Sequence, residues 1–302
     1  MSLSAFTAPG RFYRGNLHTH SNRSDGSLPP EEVCRRYAER GYDFLCISDH
    51  FLPSFDFPIT DTRSSRTETF TTIIGAEVHA PVTSSGEKWH ILAVGLPLDF
   101  LPTTADETGT DLALRCGKAG AFVVIAHPEW YALTLEDAAQ IGNAHAVEVY
   151  NHTSQVRMSR GGGAYFLDAL LSEGRKINAL ATDDAHFNTN PNPDRDAFGG
   201  WVMVKAERNE PIDLLAALKA GDYYSSQGPE LHDIAVEGRE VLVRCSPAAQ
   251  IMVLGRGRRY EYVAGNDLTT ARLPLDKFAG DWCRVVVMDD AGKCAWSNPL
   301  YL

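Results

Sequence analysis

Histidines and carboxylates recur in this chain where apolar runs begin or end. His18-Thr19-His20 follows Gly15-Asn16-Leu17, and Asp25 lies five residues beyond His20. Asp49-His50 follows Phe44-Leu45-Cys46-Ile47, Glu77 falls near the end of the run 72–78, and His90 opens the run 90–96. His127 follows the run 121–126, and Asp184-Ala185-His186 follows the run 177–181. Imidazole nitrogens and carboxylate oxygens are the donors that hold borderline and hard divalent cations. Several such ions in one site acidify a water and clamp the attacking and leaving oxygens of a hydrolysis. Core packing asks for none of these residue types at strand ends. No G-x-S-x-G nucleophile motif is present to suggest a different hydrolytic chemistry.

The elements that must position these side chains alternate through about residue 225. A helix is expected over residues 30–40, with Pro30 at its start, Glu31 and Glu32 in its first turn and Gly41 after its end. With the strands on either side it makes a βαβ unit whose crossover is long enough for parallel pairing. Further strands are expected at 72–78, 90–96, 121–126, 146–150 and 177–181, and helices at 111–118, 135–141, 165–173 and 212–220. This alternation predicts an α/β fold closed like a barrel, whose strand ends at one rim build the site. Glu77 and His90 are joined by a polar stretch containing Ser84-Ser85-Gly86, a hairpin turn that should set the two residues roughly opposite each other, so that the two strand ends converge on one spot. After Gly228-Pro229 the helical periodicity stops. Short strands at 240–245, 250–254 and 284–288, with a turn at Asp289-Asp290-Ala291-Gly292, predict a small all-β, sandwich-like domain. The expected division is 1–227 for the barrel and 228–302 for the β domain.

The 302 residues are 44% hydrophobic and 22% charged, an ordinary globular balance. Acidic residues outnumber basic ones by 39 to 28, a net charge of −11, which argues against a duplex-binding surface. A small anionic substrate remains compatible, because bound cations reverse the local field. No run approaches a membrane span and no signal peptide is seen at the start, so a cytoplasmic protein is expected. The six cysteines (Cys34, Cys46, Cys116, Cys245, Cys283 and Cys294) form no C-x-x-C pair. Cys283 and Cys294 flank the last turn out of register, and all six are expected as reduced, mostly buried thiols.

Six segments in order resemble the PHP (polymerase and histidinol phosphatase) superfamily. They are LHTHSNRSDG (17–26), ISDH (47–50), GAEV (75–78), WHILAVGL (89–96), AHP (126–128) and TDDAH (182–186). The resemblance covers residues from about 14 to 227. The stretch ending AWSNPLYL (295–302) resembles the small β domain appended to some bacterial PHP proteins, and the whole is similar to the CehA/McbA-type metallohydrolases. The resemblance implies a distorted (β/α)7 barrel holding two to three divalent ions (Mn, Fe or Zn). His18, His20, Glu77 and Asp184 would hold the first, and Glu77, His90 and His127 the second, with Glu77 bridging. Asp25, His50 and His186 would hold the third. Many family members carry histidine where this chain has Asp25, and the harder oxygen donor favours Mn²⁺ or Fe²⁺ over Zn²⁺ there.

The implied nucleophile is a metal-bound water. The implied reaction is phosphoester hydrolysis of a small phosphorylated molecule such as a nucleotide, sugar phosphate or short oligonucleotide. Two other readings stay open: hydrolysis of a non-phosphate ester, carbamate or amide by the same ions, and a non-catalytic, metal-stabilised binding module. Asp49 and Asp183 neighbour candidate ligands and are expected to orient imidazoles through their second nitrogen. Arg23, Arg157 and Arg160 are candidate phosphate contacts. Gly161-Gly162-Gly163 reads as a flexible rim loop or helix entry, and Trp130 as a pocket wall. His79 reads as a polar loop residue or a donor behind the ligands, His152 as pocket lining, and His145 and His232 as solvated.

Overall fold

The computed structural model describes residues 3–302; Met1 and Ser2, at the start of the expected first domain, lie outside the described residues. The apolar runs of the first half form strands β1 (Arg11–Asn16), β2 (Phe44–Leu45), β3 (His50–Phe51), β4 (Thr71–Thr72), β5 (Gly75–Val78), β6 (Ile91–Val94), β7 (Phe122–Ile125), β8 (Ala146–Asn151) and β9 (Asn178–Thr182). Two of the runs are broken in the middle. Their first halves, β2 and β4, pair in parallel beside β1. Their second halves, β3 and β5, begin another sheet in the order β3-β5-β6-β7-β8-β9. The two sheets meet again where Thr19, beyond β1, bridges Ala185, beyond β9. Among the described residues, these nine strands, from seven runs, thus wrap into a barrel whose ladder is interrupted.

Every residue of β5, β6 and β7 is buried. Such strands read as continuous apolar runs because the barrel core lies on one face and helices on the other. The expected helices form at Pro30–Glu39, Gly109–Lys118, Leu135–Gln140, Ala164–Ser172 and Pro211–Ala220. The Leu135–Gln140 helix starts on a capping box between Thr134 and Asp137. A helix at His152–Met158 was not expected. Its segment has no apolar periodicity, and its sequence signal is the cap, where the Asn151 side chain accepts from the Ser154 N–H. The glycine triplet is packed rather than free. A Cβ on Gly163 would stand 1.9 Å from the Glu148 carbonyl oxygen, so glycine lets this helix entry lie against β8.

The chain continues through β10 (Trp201–Ala206) and β11 (Tyr223–Ser226) into an antiparallel array of β12 (Leu231–Glu237), β13 (Glu240–Gly255), β14 (Tyr260–Pro274), β15 (Trp282–Met288), β16 (Cys294–Ser297) and β17 (Leu300–Tyr301). The runs 240–245 and 250–254 are one strand, β13, with irregularities in its pairing between Arg244 and Gln250. Its first part pairs with β12 and its last with β15. The all-β character is as expected, but β14 gave no sequence signal because most of it is exposed on both faces. β16 pairs with β11, β11 with β10, and β10 with β1, so hydrogen bonding runs from the C-terminal array into the barrel. The six cysteines are free, five of them buried. No helix among the described residues is long and apolar enough to cross a membrane.

An ion pair ties the array to a barrel helix. Arg284, on β15 and 2% exposed, donates from Nε and Nη2 to both Asp168 oxygens, at 2.6 and 2.8 Å. Asp168, in the Ala164–Ser172 helix, keeps a side-chain exposure of 30%. Asp168→Ala leaves the guanidinium buried without its partner and should cost about 3–5 kcal/mol. Arg284→Ala leaves a carboxylate that water can reach and should cost less. Urea unfolding midpoints of the two variants test the order, and equal losses would put the energy elsewhere in this interface.

Candidate metal centre

The extended chain past β1 sets His18 and His20 on one side of Thr19. Both are fully buried. His18 Nε2 lies 3.6 Å from Glu77 Oε2 and 3.3 Å from Asp184 Oδ1, and His20 Nε2 lies 3.7 and 2.9 Å from the same two atoms. The other Glu77 oxygen, Oε1, meets His90 Nδ1 at 2.7 Å and His127 Nε2 at 3.1 Å. Glu77 therefore turns one oxygen to each of two histidine groups, the disposition a bridging carboxylate needs. Asp25 Oδ1 stands 3.6 Å from His50 Nε2, 3.4 Å from His186 Nε2 and 3.9 Å from His20 Nδ1. All nine candidate residues meet in one place. Six of them line a cavity of about 270 Å³ whose wall includes Trp130, Thr153, Ser154, Arg157 and Met158.

The hairpin delivers His90 with a different register from the one expected. β5 and β6 pair Val78 with Ile91, and the Trp89 N–H donates to the Ala80 carbonyl. That register sets His90 across from His79, two residues from Glu77. His90 still reaches Glu77 diagonally, and its ring packs edge-on to His79 with centroids 4.4 Å apart. His79 therefore directly follows β5 and is buried, with hydrogen-bond partners at both ring nitrogens. It is 3% exposed, its Nδ1 is 3.0 Å from the Trp89 carbonyl and its Nε2 is 2.9 Å from His50 Nδ1. Burial and the neighbouring His90 hold its pKa well below the ordinary histidine value.

The two carboxylates beside the ligand candidates do other work than expected. Asp49 accepts from Ser21 N (2.7 Å), Ser21 Oγ (2.8 Å), Ser24 Oγ (2.8 Å) and Thr60 Oγ1 (2.5 Å). Asp183 accepts from Asn16 Nδ2 (2.6 Å), the Tyr37 hydroxyl (2.7 Å) and the N–H groups of Phe198 (2.8 Å), Gly199 (2.7 Å) and Gly200 (2.9 Å). Both fix loops rather than imidazoles. The role expected of them at an imidazole belongs to Glu148, which sequence reasoning missed. Its Oε1 meets His18 Nδ1 at 2.7 Å and its Oε2 accepts the His127 N–H at 2.7 Å. The available signal was a lone charge inside the apolar strand β8.

Backbone strain sits at two of the candidates. His127 and Asp184 have φ of 22° and 59°, outside the usual range for side-chain-bearing residues. The Glu148 carboxylate holds the first, and an Asp184 N–H bond to the His18 carbonyl at 2.8 Å holds the second.

The donor set fits divalent cations. His18 Nε2, His20 Nδ1, Glu77 Oε2 and His127 Nδ1 are buried and have no hydrogen-bond partner. Such atoms are costly unless something else satisfies them. Burial would raise the Glu77 carboxyl, but His50, His90 and His18 hold it well below the ordinary carboxylate range. Against the same burial, His18 and His20 hold Asp184 down, and His186 and His50 hold Asp25 down. Burial, His186 and His50 lower His20 to about 4. At neutral pH the oxygens are therefore ionised and His20 is neutral, while the same carboxylates raise His18, His50 and His186 against their burial, so a cation bound there would displace protons from those rings.

The arginines divide. Arg157 lines the cavity, and its Nη2 donates to the buried Asp196 carboxylate at 2.7 Å and to Asn188. Arg160 is exposed, with Nη1 3.4 Å from the Trp130 carbonyl. Arg23 lines a different cavity, of about 720 Å³, with Asn22, Phe55, Pro58 and Thr60. Trp130 does wall the site, its ring 5.2 Å from that of His90 and 5.1 Å from that of His127. His152 bonds the Tyr150 hydroxyl at 2.7 Å instead of lining the cavity. His145 is half-buried rather than solvated, accepting the Val123 N–H at 3.0 Å. His232 is exposed beside Glu230.

A family model described as the PHP domain matches residues 16–152. No curated protein matches the chain. Among solved structures, the chain is similar to a two-domain protein from Bacteroides vulgatus containing a predicted PHP-like metal-dependent phosphoesterase. That match has a TM-score of 0.56 and 14% identity, and covers 97% of each chain. The chain also matches an amidohydrolase from Chromobacterium violaceum with bound sulfate, with a TM-score of 0.43, 16% identity, and 57% of this chain and 87% of that one covered. At such identity the first match shows a shared fold.

Asp49→Ala removes the acceptor of four hydrogen bonds, three of which pin the loop carrying Asp25. Stranding such donors costs about 1–3 kcal/mol. Amide exchange of residues 21–26 should then speed up roughly ten- to hundredfold while that of β5 stays put. Hydrogen exchange by mass spectrometry reads both segments, and an unchanged loop would show that Asp49 does not hold it.

Proposed function

We propose that this chain, which carries a PHP domain, is a metal-dependent hydrolase that cleaves small phosphate esters. The observation that carries the reading is the convergence of nine imidazole and carboxylate residues, six of them lining one cavity, with four buried donor atoms lacking hydrogen-bond partners. His18, His20, Glu77 and Asp184 would hold one ion, Glu77, His90 and His127 a second, and Asp25, His50 and His186 a third. Divalent ions held there supply an acidified water and Lewis-acid stabilisation of developing charge on the phosphoryl oxygens. The residues 1–227 would form the catalytic unit and 228–302 the β-rich unit attached to it.

The chain's own groups do the positioning. Glu148 accepts at His18 Nδ1 and so turns Nε2 toward Glu77 and Asp184. Asp196 and Asn188 hold the Arg157 guanidinium at the cavity wall, where it can meet a phosphate oxygen. Trp130 and Met158 line the cavity with apolar surface, which would limit water around the reacting ester. A cavity of about 270 Å³ suits a small substrate rather than a polymer duplex.

The test is turnover of p-nitrophenyl phosphate, bis(p-nitrophenyl) phosphate and p-nitrophenyl acetate by purified protein supplied with Mn²⁺. Phosphate-ester hydrolysis should vanish on chelation and fall at least about a hundredfold in Glu77→Ala and Asp184→Ala. Arg157→Ala should raise KM for the phosphate esters and leave any acetate hydrolysis unchanged. Turnover of the acetate alone would replace the phosphoesterase reading with that of a metal-dependent esterase. No turnover of any substrate, with ions bound, would favour a binding module.

A further inference from the structure

Two histidines of this centre that present Nε2 have a hydrogen-bond acceptor behind the ring. His18 has the Glu148 carboxylate at Nδ1, at 2.7 Å. His186 has the backbone carbonyl of Asp184 at Nδ1, also at 2.7 Å. Each of these acceptors requires the proton on Nδ1 and so leaves the lone pair on Nε2. His50 belongs with them, since its Nε2 faces Asp25 at 3.6 Å within the set His20, Asp25, His50 and His186. Behind His50 stands no such carboxylate or carbonyl in line with the ring N–H. Glu77 Oε2 is 2.6 Å from His50 Nδ1, yet it has no hydrogen-bond partner, so it lies outside the direction of that N–H. The atom bonded to His50 Nδ1 is His79 Nε2, at 2.9 Å.

His79 can accept there because of its own partner. The Trp89 carbonyl, 3.0 Å from His79 Nδ1, can accept but not donate, so the His79 proton sits on Nδ1. A neutral imidazole then has its lone pair on Nε2, and the proton between the two rings belongs to His50 Nδ1. The direction of the chain is thus set from the backbone outward, from the Trp89 carbonyl through His79 to His50.

We infer that His79 is the positioning residue for His50: it fixes the His50 tautomer and ring orientation so that Nε2 is offered to the ion of the Asp25 set. This rests on the metal-centre reading above and adds to it a residue outside the nine ligands. It also grades the site. A neutral imidazole is a weaker acceptor than the carboxylate behind His18, so His50 is the less basic ligand. The ion it helps hold is the one expected to exchange first.

The experiment titrates metal-free protein with Mn²⁺ and follows free ion by electron paramagnetic resonance, for wild type, His79→Leu and His79→Gln. Glutamine can donate to the Trp89 carbonyl and accept from His50, and leucine can do neither. His79→Leu should weaken one ion about 10- to 100-fold without lowering the number bound at saturation, and His79→Gln should restore binding to within a few-fold of wild type. Equal affinities in wild type and His79→Leu would overturn the inference. So would the loss of one ion at saturation in both variants, which would make His79 a ligand itself. Where His79→Leu does not fold, ¹⁵N-histidine NMR of Zn²⁺-loaded wild type decides: a proton on His50 Nδ1 supports the inference, and one on His50 Nε2 overturns it. A wild type that binds no ion would remove the metal reading and this inference together, whereas ion binding indifferent to His79 removes this inference alone.

Discussion

A fully buried carboxylate must be compensated, and Glu77 is compensated from both sides. Its Oε1 meets His90 and His127, while its Oε2 stands near His18, His20 and His50. Desolvation would otherwise protonate it. The imidazoles keep it ionised, and in doing so five of them are drawn to a single point from four separate strand ends. The geometry of the centre follows from that requirement. Each histidine must approach Glu77 along a direction its own strand permits, and the strands must tilt and break to allow it.

The breaks are visible in the sheets. The run 44–51 gives β2 to one sheet and β3 to the other, and the run 71–78 gives β4 and β5 in the same way. Between these halves the chain leaves one ladder and joins the next, which aims His50 and Glu77 side by side, paired in register across β3 and β5. The buried acids around the centre hold the adjoining loops in place. Asp49 takes the N–H and hydroxyl of Ser21 and the hydroxyls of Ser24 and Thr60, and Asp183 takes three backbone N–H groups beyond β9. Loops at a barrel rim carry function only if something rigid positions them. Here the rigid parts are carboxylates that touch no candidate ligand ring.

The C-terminal array is joined to the barrel in two ways, by continuous pairing through β16, β11 and β10 and by the Arg284–Asp168 pair. Its apolar core also takes Phe6, Phe12, Met203 and Tyr224 from the N-terminal elements and β10–β11. The aromatic contact of Tyr150 with Trp296, at 6.1 Å, adds a link from β8, the strand that carries Glu148. The β-rich part therefore packs against the element that orients His18, without itself lining the cavity.

The amino-acid sequence determined the residue types of the centre, their order and the strands that deliver them, because metal donors placed at the ends of apolar runs are local patterns. It also determined the main helices of the barrel, through proline starts, acidic first turns and apolar spacing. Three matters were settled only by the tertiary structure. The His79–His90 register depends on hydrogen bonds across a hairpin, so spacing alone put the wrong residue opposite His90. The choice of Glu148 over Asp49 and Asp183 behind an imidazole depends on which side of β8 faces His18, and adjacency in the chain does not report that. The separation of Arg157 from Arg23 depends on which side chain its segment turns toward the cavity. Each is a contact between distant segments, whose geometry is fixed by packing and pairing rather than by neighbours in sequence.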